Sequence, residues 1–367
     1  METRTRALAA SGFTVGLFLL VQLGALALVE PFQRAGYQQT PNPSDPTNAV
    51  VYVAAILVMT GVMLAIIKFG VEWILRAVIV LTTGLLSWYV FSVVVPPVLT
   101  ATVGGAAVNV LAVAASAGTA LALVVHPEWY VIDLAGVVIG AGAAGLFGIS
   151  FGLLPAILLL SALAIYDAIS VYGTEHMLTL ASGVMDLKIP VILVVPLSLS
   201  YSFLDDAAAA GEAMDDAASD EAEAADESAS DGESSEEVSA PNGGQVSAEE
   251  TEAATDPADE TDAAAERPDA ADRDVFFIGL GDAVMPTVMV ASAAFFAPAD
   301  SLVSGIALNL PALTAMVGTI AGLFVLLWLV LKGRAHAGLP LLNGGAIGGY
   351  LVGAVASGIP LMQAVGL

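Results

Sequence analysis

Two aspartates stand inside otherwise apolar stretches, where an ionisable side chain is costly to insert and marks function by default. Asp167 lies in Ala164-Ile165-Tyr166-Asp167-Ala168, and Asp282 closes Phe277-Ile278-Gly279-Leu280-Gly281-Asp282. Two carboxylates brought together cannot both ionise easily, so they share a proton and titrate as a pair. The ionised member can activate water while the protonated member polarises a carbonyl. Gly279 and Gly281 leave the backbone beside Asp282 open to close approach by a helix or an extended chain. Asp167 and Asp282 are also compatible with simple interhelical hydrogen bonding or with proton loading in a transporter.

The elements that must position this pair are membrane spans. The 367-residue chain is 57% hydrophobic with a mean hydropathy of +0.84, above the range of a soluble domain. A crossing takes roughly 20 apolar residues. That rule gives nine helical spans near 7–29, 50–69, 73–95, 101–125, 130–148, 150–172, 275–297, 302–331 and 339–365. Arg4, Arg6 and Ala25-Leu26-Ala27 look like a secretory signal with its cleavage site, but the apolar run exceeds the usual signal core, so it reads as the first span. An inside N-terminus places Arg4, Arg6, Lys68, Arg76, Lys188, Arg267, Arg273, Lys332 and Arg334 in the cytoplasm and only Arg34 outside. The C-terminus then lies outside. At a rise of 1.5 Å per residue, both aspartates sit roughly 8 to 12 Å below the cytoplasmic face.

Charge separates the rest of the chain. Of the formal net charge of −26, residues 205–274 carry −23, with twenty-five acidic residues against Arg267 and Arg273. Their Ala, Asp, Glu, Ser, Gly and Thr content cannot bury enough surface to offset ordering entropy, so the segment reads as a disordered linker. The organisation expected is therefore 1–172 as spans one to six, 173–204 as a loop, 205–274 as the acidic linker and 275–367 as spans seven to nine. Within the loop, Ile189 to Leu197 is too short to span and contains Pro190 and Pro196, which suits an edge strand able to pair with a peptide.

A Tyr-Asp pair in the sixth of nine spans, Gly-x-Gly-Asp in the seventh and a long cytoplasmic loop between them resemble the presenilin and signal peptide peptidase group, especially its archaeal presenilin-like members. The family's third motif, Pro-Ala-Leu before the last span, is matched in part by Pro340-Leu341-Leu342, with Leu341 in place of the alanine. A literal Pro311-Ala312-Leu313 falls in the eighth span, where it reads as a helix kink. The resemblance implies an all-α membrane aspartyl endopeptidase with Asp167 and Asp282 as catalytic residues. It assigns substrate-binding or site-shaping roles to Tyr166, Gly279, Leu280, Gly281, Pro340, Leu341 and Leu342. The implied substrates are single-span membrane proteins or signal peptides in the lipid bilayer, with no cofactor, no metal and no nucleic acid.

Elsewhere, Asn109, Asn309, Asp133 and Tyr89 read as interhelical partners or caps. Gly345, Gly349 and Gly353, four apart, read as a close-packing face of the ninth span. With no cysteine, and with His126, His176 and His336 at separate span ends, thiolate chemistry is excluded and no metal site is expected. Three rivals to the protease stand: a proton-coupled transporter, a prepilin-peptidase-like enzyme that also uses Gly-x-Gly-Asp, and a catalytically silent membrane scaffold. The transporter predicts inverted repeats, which the two halves do not display.

Overall fold

Backbone amides in lipid must be satisfied within the segment, so apolar runs of this length fold as helices. The computed structural model describes residues 2–69, 71–173, 192–196, 202, 275–330, 332 and 337–367. The expected acidic linker 205–274, His176 and His336 lie outside the described residues. In chain order the helices are α1 (Glu2–Arg34), α2 (Thr47–Lys68), α3 (Glu72–Val94), α4 (Val110–Val125), α5 (Trp129–Ser150), α6 (Leu153–Gly173), α7 (Leu280–Phe296), α8 (Leu310–Val330), α9 (Gly338–Ala356) and α10 (Leu361–Ala364). Two antiparallel pairs accompany them: β1 (Thr100–Val103) with β2 (Ala106–Asn109), and β3 (Ile192–Pro196) with β4 (Val275–Gly279). Among the described residues, seven helices are long and apolar enough to cross a membrane, while α4 and α7 are shorter apolar helices of 16 and 17 residues.

Several expected spans begin late, each for a local reason. The fourth span does not start as helix at 101. Gly104 and Gly105, at φ +60° and +87°, make a two-residue turn that pairs Val103 with Ala106, and the helix begins only after Asn109 accepts from the Leu111 and Ala112 amides. The eighth span starts at Leu310, after a loop turned by Gly305. Asn309 caps it, accepting from the Ala312 amide while donating to the Ala293 carbonyl. Pro311 therefore sits in the first turn, where its missing N–H breaks no bond, and the expected kink is absent. The ninth span stops at Ala356. Gly358, at φ +78°, and Pro360 turn the chain into α10, whose Ala364 carbonyl accepts from the Tyr350 hydroxyl at 2.6 Å.

The core is organised on α5 and on the α8/α9 pair. Most of α5 is buried, although its glycine content gave it the weakest hydropathy signal before α9; glycine lets neighbouring helices close on it. The glycine face expected on α9 meets α8 directly. A Cβ on Gly345 would collide with the Gly318 carbonyl, one on Gly318 with the Gly345 carbonyl, and one on Gly349 with the Thr314 carbonyl. The two backbones thus touch without intervening side chains.

Gly345→Val and Gly318→Val are expected to lower stability by about 1 to 3 kcal/mol through overpacking. Gly348→Val, with nothing within 4 Å of its added Cβ, should leave it unchanged. Thermal unfolding of the detergent-solubilised protein measures the difference.

Candidate active site

The first turn of a helix leaves amides without intrahelical acceptors. In α9 those of Gly338 and Leu339 come before Pro340, which has no N–H to offer. Asp167, reaching across from α6, takes them: the Leu339 amide donates to Asp167 Oδ2 at 3.0 Å, and the Gly338 amide also donates to this carboxylate. The side chain acts as an N-cap supplied by another helix. One turn further along α6, the Tyr172 hydroxyl accepts from the Ala337 amide at 3.3 Å, and deeper in the bundle the buried Asn343 side chain donates to the Leu160 carbonyl at 3.0 Å. Four polar bonds thus tie α6 to the start of α9.

Asp282 approaches the same turn from the other side. It is the third residue of α7, because 275–279 form strand β4 rather than the helix expected there. Its carboxylate is at the positive end of its own helix dipole, as Asp167 is at that of α9. A Cβ added to Gly338 would lie 3.5 Å from Asp282 Oδ2, and one added to Gly279 would lie equally near. Asp282 also lies within coulombic range of Asp167. The two aspartates singled out in the sequence are therefore brought together, with Gly338 touching both.

The other expected residues divide. Gly281 is exposed, with open space around it, on the approach to Asp282. The Leu280 side chain turns away toward Gly140 of α5. Pro340 is partly buried in the first turn of α9, the Leu341 carbonyl abuts Gly322 of α8, and Leu342 is fully buried against Leu323 and Phe18. Tyr166 is exposed on α6. The partial Pro-Ala-Leu match thus meets the pair through the backbone just before it. A proline early in an apolar run signals a helix start with unpaired amides ahead of it, a signal from which Gly338 and Leu339 could have been found.

The strand expected within Ile189 to Leu197 exists as β3, over Ile192–Pro196, and its edges are used differently from expectation. Asp133, on α5, accepts from the Val194 amide at 2.8 Å, so Val194 points its N–H away from β4. By alternation Ile192 and Pro196 do likewise, which places the proline where it costs no ladder bond. The β3 edge is occupied by α5. The unpaired edge of this two-stranded sheet, among the described residues, belongs to β4.

Comparison with known proteins then decides the family. A model described as signal-peptide peptidase, presenilin aspartyl protease matches residues 15–226 and 248–359. The chain belongs to this family. Two solved structures of a presenilin family intramembrane aspartate protease are similar to it. One, in a C222 crystal form, has 27% identity over 97% of this chain and 100% of its own, with a TM-score of 0.56. The other, in a P2 form, has 28% identity over 93% and 96%, with a TM-score of 0.54. No curated protein sequence matches. The chain is thus a multi-pass membrane protein and a presenilin-type intramembrane aspartyl protease, acting on substrates embedded in the bilayer. Neither transport nor a silent scaffold receives support.

Gly338→Val would thrust γ-carbons between the two carboxylates. Turnover is expected to drop on the order of 100-fold with an unchanged unfolding temperature, as read from peptide cleavage and thermal unfolding of the same preparation.

Proposed function

We propose that Asp167 and Asp282 are the catalytic dyad and that they hydrolyse peptide bonds of single-span membrane proteins or signal peptides. The observation that carries this reading is the shared first turn of α9, which meets both carboxylates at Gly338 and Leu339. With one proton between them, the ionised carboxylate takes a proton from water as its oxygen bonds to the substrate carbonyl carbon. The protonated one donates to the developing oxyanion. Collapse of the tetrahedral intermediate breaks the C–N bond and delivers a proton to the departing nitrogen. No step calls for a metal.

A substrate helix hides its carbonyls in its own ladder and must unwind locally before attack. The outer edge of β4 presents the backbone groups of Val275 and Phe277, four and two residues before the Gly279-Leu280-Gly281-Asp282 segment. An unwound substrate can add there as a strand. Gly281 keeps the space beside Asp282 open for its backbone. Substrate-binding or site-shaping roles for Tyr166, Gly279, Leu280, Pro340, Leu341 and Leu342 accompany this reading. So does a nine-crossing topology with the N-terminus and an acidic 205–274 linker in the cytoplasm and the C-terminus outside.

Purified protein in detergent is expected to cut a model single-span peptide within its apolar segment. Asp167→Ala and Asp282→Ala should each lower the rate by at least about 10⁴-fold. Mass spectrometry of the products measures this, and either variant cutting at the wild-type rate sinks the dyad.

A further inference from the structure

The β3–β4 sheet has no turn to set its register, since Pro196 and Val275 are separated by the long acidic stretch of the chain. Two strands alone are also marginal without support. Support comes from α5. Leu193 packs so tightly on Gly136 that a Cβ there would lie 2.9 Å from it, and Val194 is buried with Ile132 and Ala135. Such apolar contacts tolerate a slip of two residues, because the pleat repeats every two and the same side chains would face the core. The hydrogen bond from the Val194 amide to Asp133 restricts it to one direction, the one that brings the Ile192 amide to the carboxylate. A slip one way would place Pro196, which has no N–H, at the carboxylate.

Asp133 is 4% exposed, and its other oxygen, Oδ2, has no hydrogen-bond partner among the described residues. It is thus a buried carboxylate whose hydrogen bonding is spent on one backbone atom of β3. Just before α5, Glu128 accepts from the Ser202 hydroxyl at 2.9 Å and ties down the chain beyond β3. Asp133 makes no hydrogen bond to Asp167 or Asp282 among the described residues. The consequence reaches the dyad through pairing: Val194 pairs with Phe277, Ile192 pairs with Gly279, and Asp282 follows three residues after Gly279.

We propose that Asp133 is a positioning residue that, together with Pro196, fixes the register of β3 and thereby selects which peptide bond of a substrate strand on β4 is cut. This rests on the substrate-addition reading above. Asp133 takes no part in the chemistry, and its expected signature is in where the enzyme cuts rather than whether it cuts.

The test compares wild type, Asp133→Asn, Asp133→Leu and Pro196→Ala by mass spectrometry of the products of one single-span peptide. Hydrogen exchange of 192–196 is followed on the same full-length proteins without substrate. Asp133→Asn keeps an acceptor oxygen and is expected to cut at the wild-type bond. Asp133→Leu should exchange at least about tenfold faster at Val194 and yield added products displaced by two residues. Pro196→Ala, which restores an N–H and leaves Asp133 in place, should give the same displaced product; it decides the matter even where Asp133→Leu does not fold. Wild-type cleavage positions in both Asp133→Leu and Pro196→Ala overturn the proposal, as does unaltered exchange in Asp133→Leu. A wild type that cuts nothing removes the protease reading instead, while the exchange comparison still decides whether Asp133 holds β3.

Discussion

The arrangement of this protein hangs on the unpaired amides at the start of α9. Leaving such amides bare in apolar surroundings costs several kcal/mol each. Asp167 satisfies the Leu339 amide from across the bundle, and that bond sets the separation of α6 and α9 at one level. Tyr172 and Asn343 repeat the tie one turn above and two turns below. Asp282 then arrives at the same place because α7 cannot begin earlier: the chain before it is committed to β4. On the proposed dyad, a structural need of helix ends and a chemical need for two adjacent carboxylates are met by the same atoms.

This economy explains what sequence reading captured. Asp167 and Asp282 were legible because an acid in an apolar run has few reasons to be there, and the family was legible from their motifs and spacing. The helices were legible by hydropathy, which is blind to backbone direction. It could not separate β4 from α7, since Val275 to Gly279 is as apolar as a helix would be, nor the β1–β2 hairpin from α4. There the signal was local: Gly104-Gly105 is a turn pair, and it was outweighed by the apolar residues around it. Pro311 misled for the converse reason, as a proline means a kink inside a helix and nothing at its first turn.

Residue-level roles were harder to read. Tyr166 neighbours Asp167 in sequence, yet a helix turns about 100° per residue, and its side chain is exposed. Gly338 and Leu339 act through backbone atoms, which no side-chain motif announces. Asp133 was visible as a buried acid, but its partner Val194 lies sixty-one residues away on a strand whose docking site could not be deduced from periodicity.

The backbone contact between α8 and α9 has a mechanical side. Carbonyl against glycine leaves no side chain to change rotamer and absorb a displacement, so the pair is stiff against sliding. One end is Gly338, beside the carboxylates, and the other is tethered by Tyr350 to the closing helix α10. A change in bilayer thickness that tilts α8 therefore carries α9 with it. The geometry around the two aspartates becomes coupled to the lipid on which the protein floats.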